Sequence, residues 1–158
     1  MKYYFFIFFS FFFLCEIHSQ SCESLPIKDE NKTKKLEKKF REKPISQKVK
    51  GFDAWDVAVY LLNRKDTLHK KWFLFVINKS RKSYVHTKIS SEKVELLYKI
   101  GLSYFYIEDY GSAENFLTKS IKCMGDSKCS KYFLYLCNLK QGKNEEAEKW
   151  RKEFDGGK

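Results

Sequence analysis

Between Ser91 and Cys123, apolar positions recur at the three-and-four spacing of amphipathic helices. "SSEK" offers a helix start at Ser90 or Ser91, and a long amphipathic segment runs from there to Ile107. "EDYGSAENF" then turns the chain into a second helix reaching about Cys123. Small residues interrupt both apolar stripes, Gly101 in the first and Ala113 in the second. Antiparallel helices need small residues where their axes come closest, because a larger side chain there holds the backbones apart. The pattern therefore predicts a helical hairpin whose contact is set by Gly101 and Ala113.

Upstream, "FDAWDVAVYLLNRKD" places Trp55, Val57, Ala58, Leu61 and Leu62 along one helical side, with Asp53 able to cap the start. The next run is ambiguous. Trp72, Phe73, Phe75, Val76 and Ile77 suit a buried helix, yet "WFLFVI" followed by "NKSRKS" and "YVHTKIS" also suits a β-hairpin. Helix is the preferred reading because everything clearly legible elsewhere is helical.

The stretch 94–123 resembles the tetratricopeptide repeat, whose period is 34 residues. Leu97 stands where the family has Trp and Ile100 where it has Leu, while Gly101 and Tyr104 match outright. Tyr110, Ala113 and Leu117 continue the pattern, and Gly125 replaces the terminal Pro. One period on, Ala113 falls on Ala147, Phe116 on Trp150, Leu102 on Leu136 and Tyr98 on Tyr132. This second copy departs at Lys131, Tyr135, Asn138 and Arg151.

The resemblance implies an all-α fold, a short stack of antiparallel helix pairs, with residues 91–124 as one repeat and 128–154 as a degenerate one. Residues 51–90 form a poorly matching N-terminal part of the same 51–158 domain. Two matched repeats are fewer than the three usually needed for a continuous core, so the N-terminal part is expected to cap or complete the stack. The resemblance also implies a binding module whose ligand lies against the first helix of each repeat. Carried over, the partner-binding face is Glu95, Tyr98, Leu102, Phe105 and Tyr106, followed by Tyr132, Leu136, Leu139 and Lys140. The competing reading buries these aromatic residues against the Trp55–Ile77 region.

Ahead of the domain, Lys2 precedes an apolar run from Tyr3 to Cys15, interrupted by Ser10, and then the polar Glu16, His18, Ser19 and Gln20. These are the regions of a secretory signal peptide, residues 1–19, with cleavage after Ser19. The run is too short to cross a bilayer comfortably, a spanning helix needing about 20 apolar residues. An uncleaved anchor, or a lipid on Cys15 or Cys22, is the alternative. Export places the protein in a periplasm, a cell envelope or the medium, with a bacterial envelope the favoured setting.

Residues 20–50 read as a basic flexible linker containing both prolines. Residues 27–50 hold ten Lys or Arg against four Asp or Glu, about half of the formal net charge of +11. Such a segment suits an anionic membrane surface through residues 28–50, or serves as a solvated spacer. The export signal argues against nucleic acid as a partner. The matches to the glycosylation acceptor pattern at Asn31 and Asn78 are expected by chance in this composition.

Removing the signal leaves Cys22, Cys123, Cys129 and Cys137, an even number in an oxidising compartment. Three pairings are open, among them a Cys123–Cys129 disulfide across a turn; free buried thiols are the bland reading. "CMGDSKC" lacks metal-knuckle spacing. His69 and His86 sit among lysines with no Ser, Cys or Asp at motif spacing, and no Gly-rich phosphate loop occurs. The expectation is a non-enzymatic exported adaptor or scaffold without cofactor or metal. A membrane-surface structural protein or lipoprotein, held by its N-terminus and basic tail, is the alternative.

Overall fold

A computed structural model describes residues 22, 24–124 and 127–156. The signal segment, its cleavage point and Gly125 lie outside them. Every regular element among the described residues is a helix: α1 Glu30–Phe40, α2 Gly51–Asn63, α3 His69–His86, α4 Ser90–Tyr106, α5 Tyr110–Met124, α6 Lys128–Lys140 and α7 Asn144–Gly156. Consecutive helices pack against each other, and α4 also meets α6. The result is a stack of three helical hairpins, α2–α3, α4–α5 and α6–α7.

The same turn closes each hairpin. A left-handed residue ends the first helix, at Lys65, Glu108 and Gly142, with φ of 55°, 70° and 72°. The following backbone N–H reaches back five residues: Asp66 to the Leu61 carbonyl at 2.9 Å, Asp109 to Tyr104 at 3.0 Å, Lys143 to Asn138 at 2.9 Å. This satisfies carbonyls that the helix end would otherwise leave open. The second and third turns lie one 34-residue period apart. Asp109 also caps α5, its Oδ1 accepting from Ser112 N at 3.0 Å.

Gly101 lies where the sequence pattern requires it. A Cβ there would stand 2.7 Å from Leu117 Cγ and 3.2 Å from the Leu117 backbone nitrogen. Leu97, Ile100, Ala113, Leu117 and Ala147 are all buried, while Tyr104 is half-buried and stacks on Phe116 at 5.5 Å. Tyr110 is half-buried against the Phe105 ring.

The β-hairpin alternative for residues 70–90 does not occur. α3 is packed between α2 and α4 and is also covered by the chain ahead of α2, so Trp72, Phe73, Phe75, Val76, Ile77 and Ser80 are all buried. A helix enclosed on several sides carries a nearly continuous apolar run, which periodicity alone does not distinguish from a strand.

The basic segment differs from the expected flexible linker. α1 lies beside α2 and runs the same way: Lys32 pairs with Asp53 near the start of both, and Arg41 with Asp66 near their ends, each at 2.7 Å. Thr33 and Phe40 are buried, and the Phe40 ring meets Trp72 edge-on at 6.3 Å. The return stretch 41–50 is tied to α3 by lysine ammonium groups. Lys71 Nζ donates to the carbonyls of Phe40 at 2.9 Å and Lys43 at 2.7 Å, and Lys79 Nζ donates to that of Gln47. Lysine here serves as a backbone donor, so a low apolar content still gives an ordered segment.

Candidate binding face

The first helices of the three hairpins, α2, α4 and α6, carry the positions expected to face a partner. Those positions divide. Leu102 is fully buried and Tyr132 is 8% exposed, so both are core residues. Phe105 and Tyr106 are half-buried members of an aromatic cluster rather than free groove residues. Phe105 lies 5.2 Å from Phe133 and 5.3 Å from Tyr106, and Tyr106 stacks on Phe73 at 5.2 Å. Tyr106 thus meets the Trp55–Ile77 region through Phe73, whereas Phe105 packs on Phe133 of α6. The surface that remains is Glu95, Leu139 and Lys140, which are exposed, with half-buried Tyr98 and Leu136. Burial pushes the Tyr98 hydroxyl up to about 12, so it stays protonated. Lys99, hydrogen-bonded to Glu95, lowers that carboxyl.

A segment of the chain itself lies across this row of helices. Cys22 is bonded to Cys129 in the first turn of α6, with Cα atoms 5.3 Å apart. Leu25 and Ile27 pack against the core cluster, and the field of Lys28 reaches Glu95 of α4. The Lys28 N–H donates to Asp56 Oδ2 of α2 at 3.2 Å. The chain is thus tied to α6 at Cys22 and to α2 at Lys28, with the Lys28 charge within electrostatic reach of Glu95 on α4 between them. Pro26 favours extended backbone at Leu25, and alternate residues of an extended chain share a side, which directs Leu25 and Ile27 together onto the stack. Glu95 and Cys129 stand 34 residues apart, at equivalent places in successive hairpins.

This disulfide replaces the expected Cys123–Cys129 pair: Cys123 is free and exposed, and Cys137 is free and buried. Burial pushes the Cys137 thiol up to about 12, which makes it inert. Nothing in the spacing of the cysteines could have selected Cys22, because its partner is set by the path of residues 22–29 across the stack. Its sulfur is committed to Cys129, so it has no thiol left for a lipid.

Asp56 is buried, and burial raises its carboxyl above the usual range despite the N–H groups of Lys28 and Asp29. His69 is a satisfied structural residue, with Nδ1 2.7 Å from the Asp66 carbonyl and its ring edge-on to Phe73. His86 is exposed. Among the described residues no group of His, Cys, Asp and Glu is arranged to hold a metal, and no helix is long and apolar enough to cross a membrane. No protein-family model, curated protein or solved structure matches this chain.

Proposed function

We propose that this chain is a non-enzymatic, exported module of the tetratricopeptide type that binds an extended protein segment along α2, α4 and α6. The observation that carries this reading is the path of residues 22–29. The stack already holds a non-helical stretch of the chain, residues 24–29, against its core through two alternate apolar side chains and a backbone N–H to α2, with the neighbouring Cys22 bonded to α6. A partner would occupy the part of that face which residues 22–29 leave open, near Tyr98, Leu136, Leu139 and Lys140. Aromatic and aliphatic side chains there offer contact area at low entropic cost.

Export is supported by the same disulfide, since such bonds persist in oxidising compartments. Cleavage after Ser19 would leave Cys22 close to the new N-terminus. N-terminal sequencing checks this: Gln20 is expected, and recovery of Met1 from membranes would mean an anchor.

The binding reading is tested by placing a photo-crosslinking side chain at Leu139, with exposed Asn115 on α5 as control, in the protein in its own envelope or medium. The expected result is one discrete partner captured at position 139 and not at position 115. Identical capture at both positions, or none at either, would reject the face.

A further inference from the structure

A second surface lies at one end of the stack and shares only Lys28 with the segment and face described for partner binding. Phe52, in the first turn of α2, is 43% exposed. Three ammonium groups converge on its ring: Lys28 and Lys32 at 5.8 Å from the centroid and Lys50 at 5.6 Å. They reach it from three places in the chain, the extended segment, α1 and the residue ahead of α2. Asp53 pairs with Lys32, the field of Lys28 reaches Asp56 and Glu95 without a direct ion pair, and Lys50 forms no ion pair among the described residues. Like charges gathered in this way repel one another unless an anion lies nearby.

The same end carries further exposed apolar groups. The position of a Gly51 Cβ lies 3.6 Å from Lys79 Cβ, so α2 begins beside the last two turns of α3. Val85 closes α3 at 75% exposure, and Ile89 precedes α4 at 55%. Lys88 stands between them in the chain, and Lys93 lies over the Tyr84 ring at 5.9 Å. Of the five large apolar side chains most exposed among the described residues, three are therefore at this end. Glu92 is the acidic group on these turns, and it accepts from Thr87 Oγ1.

We propose that this end of the stack docks on an anionic lipid surface, with the Phe52 ring in the headgroup layer and Lys28, Lys32 and Lys50 on the surrounding phosphates. Val85 and Ile89 make a second apolar contact, with Lys88 between them. An anionic bilayer fits better than an acidic protein because the apolar groups stand at two separate helix junctions. They are roughly 9 Å apart along the α3 axis, at about 1.5 Å per residue. A fluid headgroup layer accepts scattered apolar tips ringed by cations, whereas a protein interface needs a contiguous dry centre. This proposal stands independently of the partner-binding face.

The test is flotation of the full chain with phosphatidylcholine vesicles, with and without phosphatidylglycerol. The apolar run 3–15 is present in every sample, so the measured quantity is the ratio of anionic to zwitterionic partitioning. Each lysine near an anionic surface contributes roughly fivefold, so Lys28→Gln with Lys50→Gln should lower the ratio by roughly 25-fold. Val85→Ser with Ile89→Ser should weaken binding to anionic vesicles and leave its salt dependence in place. Thermal melts matching the parent establish that both variants fold. A parental ratio near one, or variants that bind as the parent does, would overturn the proposal. So would capture by soluble polyglutamate without vesicle preference, which would assign the surface to an acidic protein.

Discussion

Gly101→Ala is the sharpest probe of the hairpin contact, because two known effects oppose each other there and the geometry decides between them. In an open helix interior, replacing Gly by Ala stabilises by about 0.5–1 kcal/mol through lost chain entropy. At Gly101 the added Cβ would meet Leu117 Cγ at 2.7 Å, Cδ2 at 2.9 Å and the backbone nitrogen at 3.2 Å. Leu117 is fully buried, so its side chain has little room to yield, and the backbone contact limits relief by rotation. Overpacking of this kind costs about 1–3 kcal/mol. The net expectation is destabilisation by about 1–2 kcal/mol.

For a domain of this size the melting temperature should fall by about 3–5 °C per kcal/mol. Gly111→Ala is the control: a Cβ there meets nothing within 4 Å, so that variant should melt at or slightly above the parent. A double-mutant cycle isolates the cause. Leu117→Ala alone should cost about 2–5 kcal/mol, and adding Gly101→Ala to it should then be neutral or favourable. Melting of Gly101→Ala at or above the parent, or additivity in the cycle, would refute the close approach of α4 and α5 at this point.

Phe105→Ala should destabilise by about 2–3 kcal/mol in chemical denaturation, less than for a fully buried ring because Phe105 is half-buried; a stability equal to the parent's would return Phe105 to the binding face. Asn138→Leu should raise stability by about 1 kcal/mol in the same assay, since Asn138 is buried and its Oδ1 has no partner, while Nδ2 donates to the Leu134 carbonyl at 2.9 Å. Native alkylation followed by peptide mapping should label Cys123 and spare Cys137; after disulfide reduction, hydrogen exchange should rise first in α6 and α7. Asp56→Asn should leave the melting temperature equal or higher at neutral pH. The folded-state pKa of Asp56 lies above its unfolded value, so the ionised carboxylate opposes folding at neutral pH, and the gap between variant and parent should close as the pH falls towards about 4.

The hairpin of α4 and α5 was legible because its contact depends on local chemistry: a Gly, an Ala and apolar residues at fixed spacing. α3 was ambiguous, since enclosure on several sides removes the polar stripe that marks a helix. The segment 24–50 was misread for a different reason. Its order comes from a few widely spaced anchors, Leu25, Ile27, Phe40 and Val49, and from lysines that bond backbone carbonyls, neither of which makes a periodic pattern. Of the expected face positions, Leu102 and Tyr132 are buried and Phe105 and Tyr106 half-buried, through packing between hairpins. Phe105 and Tyr106 end α4 where α3 and α6 both approach, so Phe73 and Phe133 cover them. Such a contact between different hairpins leaves no signal within either one.

In an array of hairpins each unit touches only its neighbours, and the outermost units are the least supported. Here the two ends are finished differently. α1 and residues 41–50 cover α2 and α3, giving the first hairpin a neighbour it would otherwise lack. The last hairpin holds the orphaned Asn138 oxygen at the position where the preceding hairpin has Tyr104 stacked on Phe116. It is held instead by Cys22–Cys129, a bond across 107 residues of sequence. In the chain-entropy account a closure of that length contributes about 4–5 kcal/mol. The bond anchors the stretch that runs on to Lys28, whose N–H donates to Asp56 of α2, so the last hairpin is connected through this stretch to the first. The last hairpin, otherwise the free end of an open array, is thereby tied back to the first, and the stack of three hairpins is held at both ends.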